Sequence, residues 1–383
     1  MAKSSSALHL LTFIQILIAP TLTLPTEPPK ANQTAIRQDQ WHLKFLNTEK
    51  AHKISQGEGS IVAVLDTGVA PHPDLRGNLL TGIDTIPGGT GDGHSDHDSH
   101  GTGMAGLVAG HGQASRTGAL GVAPKAKVLP ILCSPSRGDG DPDALAEGIK
   151  FAIARSANIV SISSVGGSSP YLDRMITQAL ASNIIVVAAA GNYPEDTRVG
   201  YPATASGVIA VGGVDRNGNH ASISVSGPEI DVVAPAVDIY STSIDGKYRK
   251  GTGTSDATAI VAGAAALVRS KYPYLPAAEV VHRLTATAVD KGPPGRDDEY
   301  GYGVIDLVAA LTADVPPLGF ESVTAVPPSG MTSAAAQPAG GDDGRGAAAR
   351  GWATLGVIVA AGCGFLVWRR RRRADDPPPR ISR

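Results

Sequence analysis

Short apolar runs alternate along the chain with longer segments that have the periodicity of helices. Five runs are almost continuously apolar, as strands buried on both faces of a parallel sheet are. These runs are Ile61–Leu65, Lys127–Leu132, Ile159–Ile162, Ile184–Ala189 and Val208–Val211. The helical segments are Asp141–Ala154, Tyr171–Ser182, Ser255–Lys271 and Ala277–Thr287. The alternation predicts a three-layer α/β fold in which a mostly parallel central sheet is covered by helices on both faces.

The amino-terminal segment has the pattern of a secretory signal peptide. Lys3 precedes an apolar run, Leu8–Ala19, that is too short to span a bilayer. We place the signal at residues 1–24, with an uncleaved anchor as the alternative because no clear cleavage motif follows. Residues 25–39 then form a short extension, which is too small to fold as an independent inhibitory domain.

The carboxyl-terminal segment has the pattern of a membrane anchor. Trp352–Trp368 is an uncharged apolar stretch of about 17 residues, the lower limit for crossing the hydrocarbon core, and it predicts a transmembrane helix at residues 351–368. Arg369–Arg373 follow it directly. By the positive-inside rule, residues 369–383 are then a cytoplasmic tail, and the chain before the anchor is extracellular.

One large domain is predicted between these two ends. It covers residues 40–312, where all the predicted strands and helices lie. Residues 313–350 are rich in Pro, Gly, Ala and Ser and have almost no periodic apolar pattern, which is typical of a flexible spacer. Such a spacer would hold the domain away from the membrane.

Charge is divided unevenly between these parts. Of the 383 residues, 42% are hydrophobic and 18% are charged, enough for a large core, and the formal net charge is −2. Seven Arg and two Asp follow Trp368, so the tail carries +5 and the remainder −7. An acidic domain argues against nucleic-acid binding.

Cys133 and Cys363 are too few for a disulfide framework, and Cys133 is predicted to be a small buried residue.

Reactive side chains occur beside glycine at four places. Asp66 follows the first predicted strand, at the edge of the sheet where ligands and catalytic groups gather in α/β proteins. His100 begins a helix of small residues, and Ser255 opens a long helix, near partly positive amide groups. Asn192 follows the strand Ile184–Ala189, and its side-chain amide can donate to a developing oxyanion.

These motifs, in this order, resemble those of the subtilase family of serine endopeptidases across Gln40–Leu311. The matching segments are Val62–Val69, His100–Gly106, Ala190–Asn192 and Gly253–Ser255. The resemblance implies a subtilisin-like fold in which Ser255 is the nucleophile, His100 is the general base and then acid, and Asp66 orients His100. It also implies an oxyanion hole formed by Asn192 and the backbone N–H of Ser255.

Two further segments are interpreted through the same resemblance. Ser164, Val165 and Gly166 are similar to the family's substrate-binding segment, where an extended peptide pairs with the enzyme backbone. Asp256 follows the nucleophile at a position where the family commonly has a hydrophobic residue. We expect this carboxylate either to act electrostatically on His100 and disfavour anionic substrates, or to point to solvent.

Two other interpretations are weaker. Gly101-x-Gly103-x-x-Gly106 satisfies a dinucleotide fingerprint, but polar residues precede it where a buried strand is required. The second interpretation is a metal site, because one cluster has side chains of the types that bind metals: His94, Asp96, His97, Asp98 and His100. It lies on a Gly- and Ser-rich loop without paired helical spacing, so a solvated loop is favoured. The sequence therefore predicts no metal site and no required cofactor, and it leaves a structural calcium ion open.

The order of the parts adds a narrower resemblance. A signal peptide, subtilase domain, spacer, single anchor and Arg-rich cytoplasmic tail are together similar to mycosins, the membrane-bound subtilases of type VII secretion in actinobacteria. This implies a cell-surface endopeptidase that acts on secreted proteins or peptides near the membrane, with secretion-system subunits as partners. The alternative is a non-catalytic or dual-role structural component of such a secretion complex.

Overall fold

The structure is a computed structural model that describes residues 30–114, 116–136 and 140–319. The predicted signal peptide, the transmembrane helix, the cytoplasmic tail and most of the spacer lie outside the described residues. Within the described residues, no helix combines the length and apolar character needed to cross a membrane.

Nine strands and nine α-helices are present in the described part of the chain. The strands are β1 Ile61–Asp66, β2 Ile83–Asp84, β3 Lys127–Leu132, β4 Ile159–Ile162, β5 Ile185–Ala189, β6 Ile209–Val214, β7 Val232–Pro235, β8 Ile239–Thr242 and β9 Tyr248–Gly251. The helices are α1 Lys30–Asp39, α2 Trp41–Phe45, α3 Thr48–His52, α4 His100–Ala109, α5 Pro142–Ala154, α6 Pro170–Ala181, α7 Thr254–Lys271, α8 Ala277–Ala286 and α9 Leu307–Thr312.

Seven strands form one parallel sheet in the order β2-β3-β1-β4-β5-β6-β7. Successive residues of β1 face opposite sides: Val62 and Val64 enter one core, and Ala63 and Leu65 enter the other. Helices α4 and α7 cover the first side, and α5 and α6 cover the second. The predicted α/β fold with a mostly parallel sheet is confirmed.

The five predicted strands and four predicted helices all appear, with bounds that differ by at most three residues. The sequence did not predict β2, β7, α9, the amino-terminal helices, or the antiparallel hairpin of β8 and β9. The hairpin strand β9 reads Tyr-Arg-Lys-Gly, which has no apolar run to mark it as a strand.

The amino-terminal helices are held on the domain by side chains that reach backbone carbonyls. Arg37 donates from Nε to the Gly118 oxygen at 3.0 Å and from Nη2 to the Thr117 oxygen at 3.1 Å. Gln40 donates to the carbonyl oxygens of Leu120 and Tyr240, each at 3.0 Å. Part of the predicted extension 25–39 is therefore a helix fixed to the domain surface.

His42 on α2 makes stability depend on pH. The side chain is fully buried, neither ring nitrogen has a hydrogen-bond partner among the described residues, and burial lowers its pKa from 6.5 to about 3. Below pH 6.5, His42 therefore binds a proton in the unfolded chain but stays neutral in the folded chain. The free energy of unfolding should fall as pH decreases from 6.5 towards 4, by up to about 1.4 kcal/mol per pH unit from this residue.

Urea unfolding between pH 7.5 and 4 measures this dependence. His42→Phe should flatten the decline, whereas His97→Gln, at an exposed histidine, should leave it unchanged. Equal slopes in the wild type and His42→Phe would contradict the assignment to His42.

Candidate active site

The predicted site residues meet where the strand order changes direction. From β1 the chain continues to β2 and β3 on one side of β1, and it then crosses to β4 on the other side and continues to β5. In open α/β sheets this point leaves a crevice at the carboxyl ends of the strands. Asp66 ends β1, Ser163 follows β4, and the helices α4 and α7 begin beside them with His100 and Thr254.

Asp66 and His100 are joined by a buried hydrogen bond. The distance from His100 Nδ1 to Asp66 Oδ1 is 2.7 Å, and the residues are 3% and 6% exposed, respectively. The Thr67 backbone N–H donates to the same oxygen at 2.7 Å. A carboxylate at Nδ1 assigns the proton of the neutral ring to that nitrogen, which leaves Nε2 as the basic nitrogen.

The start of α4 is held by Asp96, which sequence reasoning placed in a solvated loop. That interpretation is wrong for Asp96, which is buried. Its Oδ1 accepts from the backbone N–H of Ser99 at 3.0 Å and from Thr67 Oγ1 at 2.9 Å. Its Oδ2 accepts from the N–H and the hydroxyl of Thr102, at 2.9 and 2.5 Å. Asp96 thus satisfies amides at the first turn of the helix that carries His100.

The other side chains of this loop that could in principle bind a metal, His94 and His97, bond to different partners. His97 is exposed and bonds to Ser95, and His94 bonds through Nε2 to the Leu80 carbonyl oxygen at 2.9 Å. Within residues 30–114, 116–136 and 140–319, no group of three His, Cys, Asp or Glu side chains has a geometry that could hold a metal ion.

Two glycines let backbone segments pack closely around the end of β1. A Cβ on Gly101 would lie 2.0 Å from the Gly68 carbonyl oxygen and 3.1 Å from the Asp66 Cβ. Gly68 itself has φ +90°, and a Cβ there would lie 1.9 Å from the Ser95 oxygen. Only glycine fits both positions without moving backbone. Gly101 permits the close approach of α4 to the end of β1, and Gly68 permits that of the loop that precedes α4.

Ser255 lies in the first turn of α7 and is fastened to the strand β4. Its Oγ donates to the Ser163 carbonyl oxygen at 2.9 Å, and Ser163 Oγ donates back to the Ser255 carbonyl oxygen at 3.2 Å. The Ser255 hydroxyl would have to turn away from Ser163 in order to donate its proton to another group. The 18-residue helix α7 directs the positive end of its dipole at this hydroxyl, where negative charge would develop.

Asn192 is oriented by Thr254, a residue that the motif analysis did not single out. Asn192 Oδ1 accepts from the Thr254 backbone N–H at 2.8 Å and from its hydroxyl at 3.2 Å. This network assigns Nδ2 as the end of the amide that remains to donate. The side chain also lies against Gly253, whose Cβ, if present, would be 3.3 Å from Asn192 Oδ1.

The predicted substrate-binding segment lines a cleft beside these groups. Ser164, Val165 and Gly166 border an open cleft that is also lined by Asp66 and His100. The Gly166 N–H donates to the Tyr201 carbonyl oxygen at 2.9 Å. The segment is therefore bonded to the backbone at Tyr201 and also lines the cleft.

Asp256 and Cys133, two residues near the site, are both buried. Asp256 is 1% exposed, so the expectation that it points to solvent is wrong, and its Oδ1 lies 3.5 Å from Arg249 Nη1. Cys133 is buried as expected, with Sγ 3.7 Å from the Asp66 carbonyl oxygen. Burial raises the pKa of the Cys133 thiol, which disfavours the reactive thiolate.

Comparison with known proteins places this arrangement in a family. Residues 57–303 match the profile of the subtilase family, peptidase S8. The chain belongs to the subtilase family. It is 40% identical over 270 residues to subtilisin DY of Bacillus licheniformis, and the alignment covers 68% of this chain and 95% of that protein. It is therefore a subtilisin-like serine endopeptidase.

The solved structures that this subtilase resembles include mycosins. The structure of the MycP3 protease from the type VII (ESX-3) secretion system is 34% identical, has a TM-score of 0.62, and is matched over 72% of this chain and 88% of that one. MycP1 from Mycobacterium smegmatis is 30% identical, with a TM-score of 0.64, over 72% of this chain and 85% of that one. The family resemblance and the similarity to mycosins are both confirmed.

Replacing Asp96 should weaken both the fold and the site of this subtilase. In Asp96→Asn, an amide NH₂ group would face the donors of Ser99 or Thr102. Hydrogen bonds to a charged acceptor would be lost, and a buried donor would have no partner. We expect a loss of about 2 kcal/mol in the free energy of unfolding and a fall in kcat of roughly tenfold, since one factor of ten is about 1.4 kcal/mol in the barrier.

Denaturant unfolding and peptide hydrolysis assays measure the two effects. Asp92→Asn, an exposed carboxylate in the same loop, is the matched control and should change neither. If Asp96→Asn behaved like Asp92→Asn, the conclusion that Asp96 holds the first turn of α4 would be wrong.

Proposed function

We propose that this subtilase cleaves peptide bonds through an acyl-enzyme on Ser255. His100 serves as general base and acid, Asp66 orients its ring, and Asn192 with the Ser255 backbone N–H binds the oxyanion. The observation that carries the proposal is the 2.7 Å hydrogen bond from His100 Nδ1 to Asp66 in the same crevice as Ser255. It leaves Nε2 as the one ring nitrogen able to take a proton.

The chemical steps follow from these positions. Ser255 Oγ attacks the carbonyl carbon of the scissile bond while His100 Nε2 takes the hydroxyl proton, and the carbonyl oxygen becomes an oxyanion. When the carbon–nitrogen bond breaks, His100 gives that proton to the departing amine. Water then attacks the ester carbonyl by the same proton transfers, which releases the acid and restores Ser255. None of these steps calls on a metal ion or an organic cofactor.

The oxyanion is the point at which the protein can lower the barrier most. Thr254 holds Asn192 Oδ1, so Nδ2 is already aimed when charge develops on the carbonyl oxygen. Donors that are oriented before the reaction cost no reorganisation, and one such donor is worth about 10²–10³ in kcat. The dipole of α7 acts in the same direction.

The proposed substrate is an extended segment of a secreted protein. Ser164, Val165 and Gly166 border the cleft, and small or half-buried residues there let a peptide backbone come close enough to pair with the segment.

The proposed setting is the outer face of the cell membrane, beside a secretion complex. The signal-like, spacer and anchor patterns of the sequence support this location, with the carboxyl-terminal tail in the cytoplasm. Similarity to MycP3, a protease from the type VII (ESX-3) secretion system, supports subunits of such a system as partners. A structural role in that complex is the competing function.

A fluorophosphonate that does not cross membranes tests nucleophile and location together. Added to intact cells, it should label the wild-type protein, and the label should stay with the membrane fraction after an alkaline carbonate wash. Ser255→Ala should not be labelled and should lose about 10⁶-fold in peptide hydrolysis, the size of effect seen when the serine of such a triad is removed.

Asn192→Ala provides the graded control, because it should still be labelled but with kcat reduced about 10²–10³-fold. Labelling of Ser255→Ala would overturn the proposed nucleophile, and label recovered only from lysed cells or soluble fractions would overturn the location. If Ser255→Ala supported normal secretion while the wild type hydrolysed no peptide, the structural role would replace the enzymatic one.

A further inference from the structure

The residue after the proposed nucleophile carries a buried charge. Asp256 lies in the first turn of α7 and is almost completely buried. A carboxylate is held in such a place only when it is paired, because burial removes its hydration. Arg249 on β9 supplies the positive charge, with Nη1 3.5 Å from Asp256 Oδ1 and a side chain that is mostly buried as well.

Space for the Arg249 side chain is made by two glycines. A Cβ on Gly103 of α4 would lie 2.5 Å from Arg249 Nη1 and 2.7 Å from its Cδ. A Cβ on Gly251 of β9 would lie 2.6 Å from Arg249 Nη2 and 2.6 Å from Asp256 Oδ2. Gly103 is three residues after His100, so the guanidinium group lies between the helix that carries His100 and the helix that carries Ser255.

The hairpin that presents Arg249 is itself bonded to α4. Ser241 Oγ on β8 donates to the Gly103 carbonyl oxygen at 2.6 Å, and Thr242 Oγ1 donates to the Thr102 carbonyl oxygen at 2.6 Å. Arg249 is paired across the hairpin with Ser241. The hairpin is therefore fixed to α4, and the pair between Arg249 and Asp256 extends that attachment to the first turn of α7.

We infer that Arg249 and Asp256 are positioning residues, which set Ser255 relative to His100 through this buried ion pair. The opposite charges of Asp256 and Arg249 attract each other across 3.5 Å, and this attraction holds the first turn of α7 to the hairpin. Neither residue is assigned a proton transfer. The inference rests on the proposed role of Ser255, and it adds that the angle at which Ser255 meets His100 depends on Arg249.

Steady-state kinetics of the full-length protein in detergent, with the rate of fluorophosphonate labelling, tests the inference. Asp256→Asn and Arg249→Gln should each lower kcat about 10- to 100-fold with little change in KM, the size expected for a misplaced reacting group. The second-order rate of labelling at Ser255 should fall by a similar factor. Lys250→Met, which removes the exposed neighbour in β9 that pairs with Asp238, should change neither quantity.

A double variant separates positioning from stability. Each single variant leaves one buried charge unpaired and should lower the thermal midpoint. The double variant Arg249→Met with Asp256→Leu removes both charges, so its thermal midpoint should be close to that of the wild type, while kcat and the labelling rate stay low. Full recovery of kcat in the double variant, or normal kcat in folded single variants, would show that the pair only stabilises the hairpin and would overturn the inference. Absence of labelling in the wild type would instead reject the proposed function.

Discussion

The hydrogen bond between Asp66 and His100 is the constraint around which this site is built. It joins the end of the interior strand β1 to the first residue of α4, and both groups are buried. A contact of 2.7 Å between two rigid elements requires close approach of their backbones, which Gly101 permits. Asp96 then holds the first turn of α4 in place. The orientation of the imidazole is therefore a property of the fold and not of one side chain.

The nucleophile is placed by a second set of contacts that reaches the same crevice from the other helix. Ser255 exchanges hydrogen bonds with Ser163 at the end of β4, and Thr254 holds Asn192. Helix α7 can pass through the core because its side chains are mostly Ala, Val and other small residues. Arg249 links the two sets, since it lies against α4 and pairs with α7.

Local signals in the sequence were sufficient for five of the seven strands of the sheet and for the segments that contain the four residues of the proposed mechanism, whose roles came from the family resemblance. Continuous apolar runs marked the strands, and the glycine-flanked Asp66, His100, Asn192 and Ser255 marked the site. The supporting residues could not be predicted, because burial is decided by distant contacts. Asp96 stands in a polar run where nothing distinguishes it from its exposed neighbours, and Arg249 is one of two adjacent basic residues in a strand without an apolar pattern.

A crystal structure of the fluorophosphonate adduct tests the central claim most directly, because it fixes the positions of all the reacting groups at once. The account predicts phosphorus bonded to Ser255 Oγ, with a phosphoryl oxygen about 3 Å from both Asn192 Nδ2 and the Ser255 backbone nitrogen. His100 Nδ1 should remain bonded to Asp66. An adduct on another residue, or a phosphoryl oxygen turned away from Asn192, would contradict it.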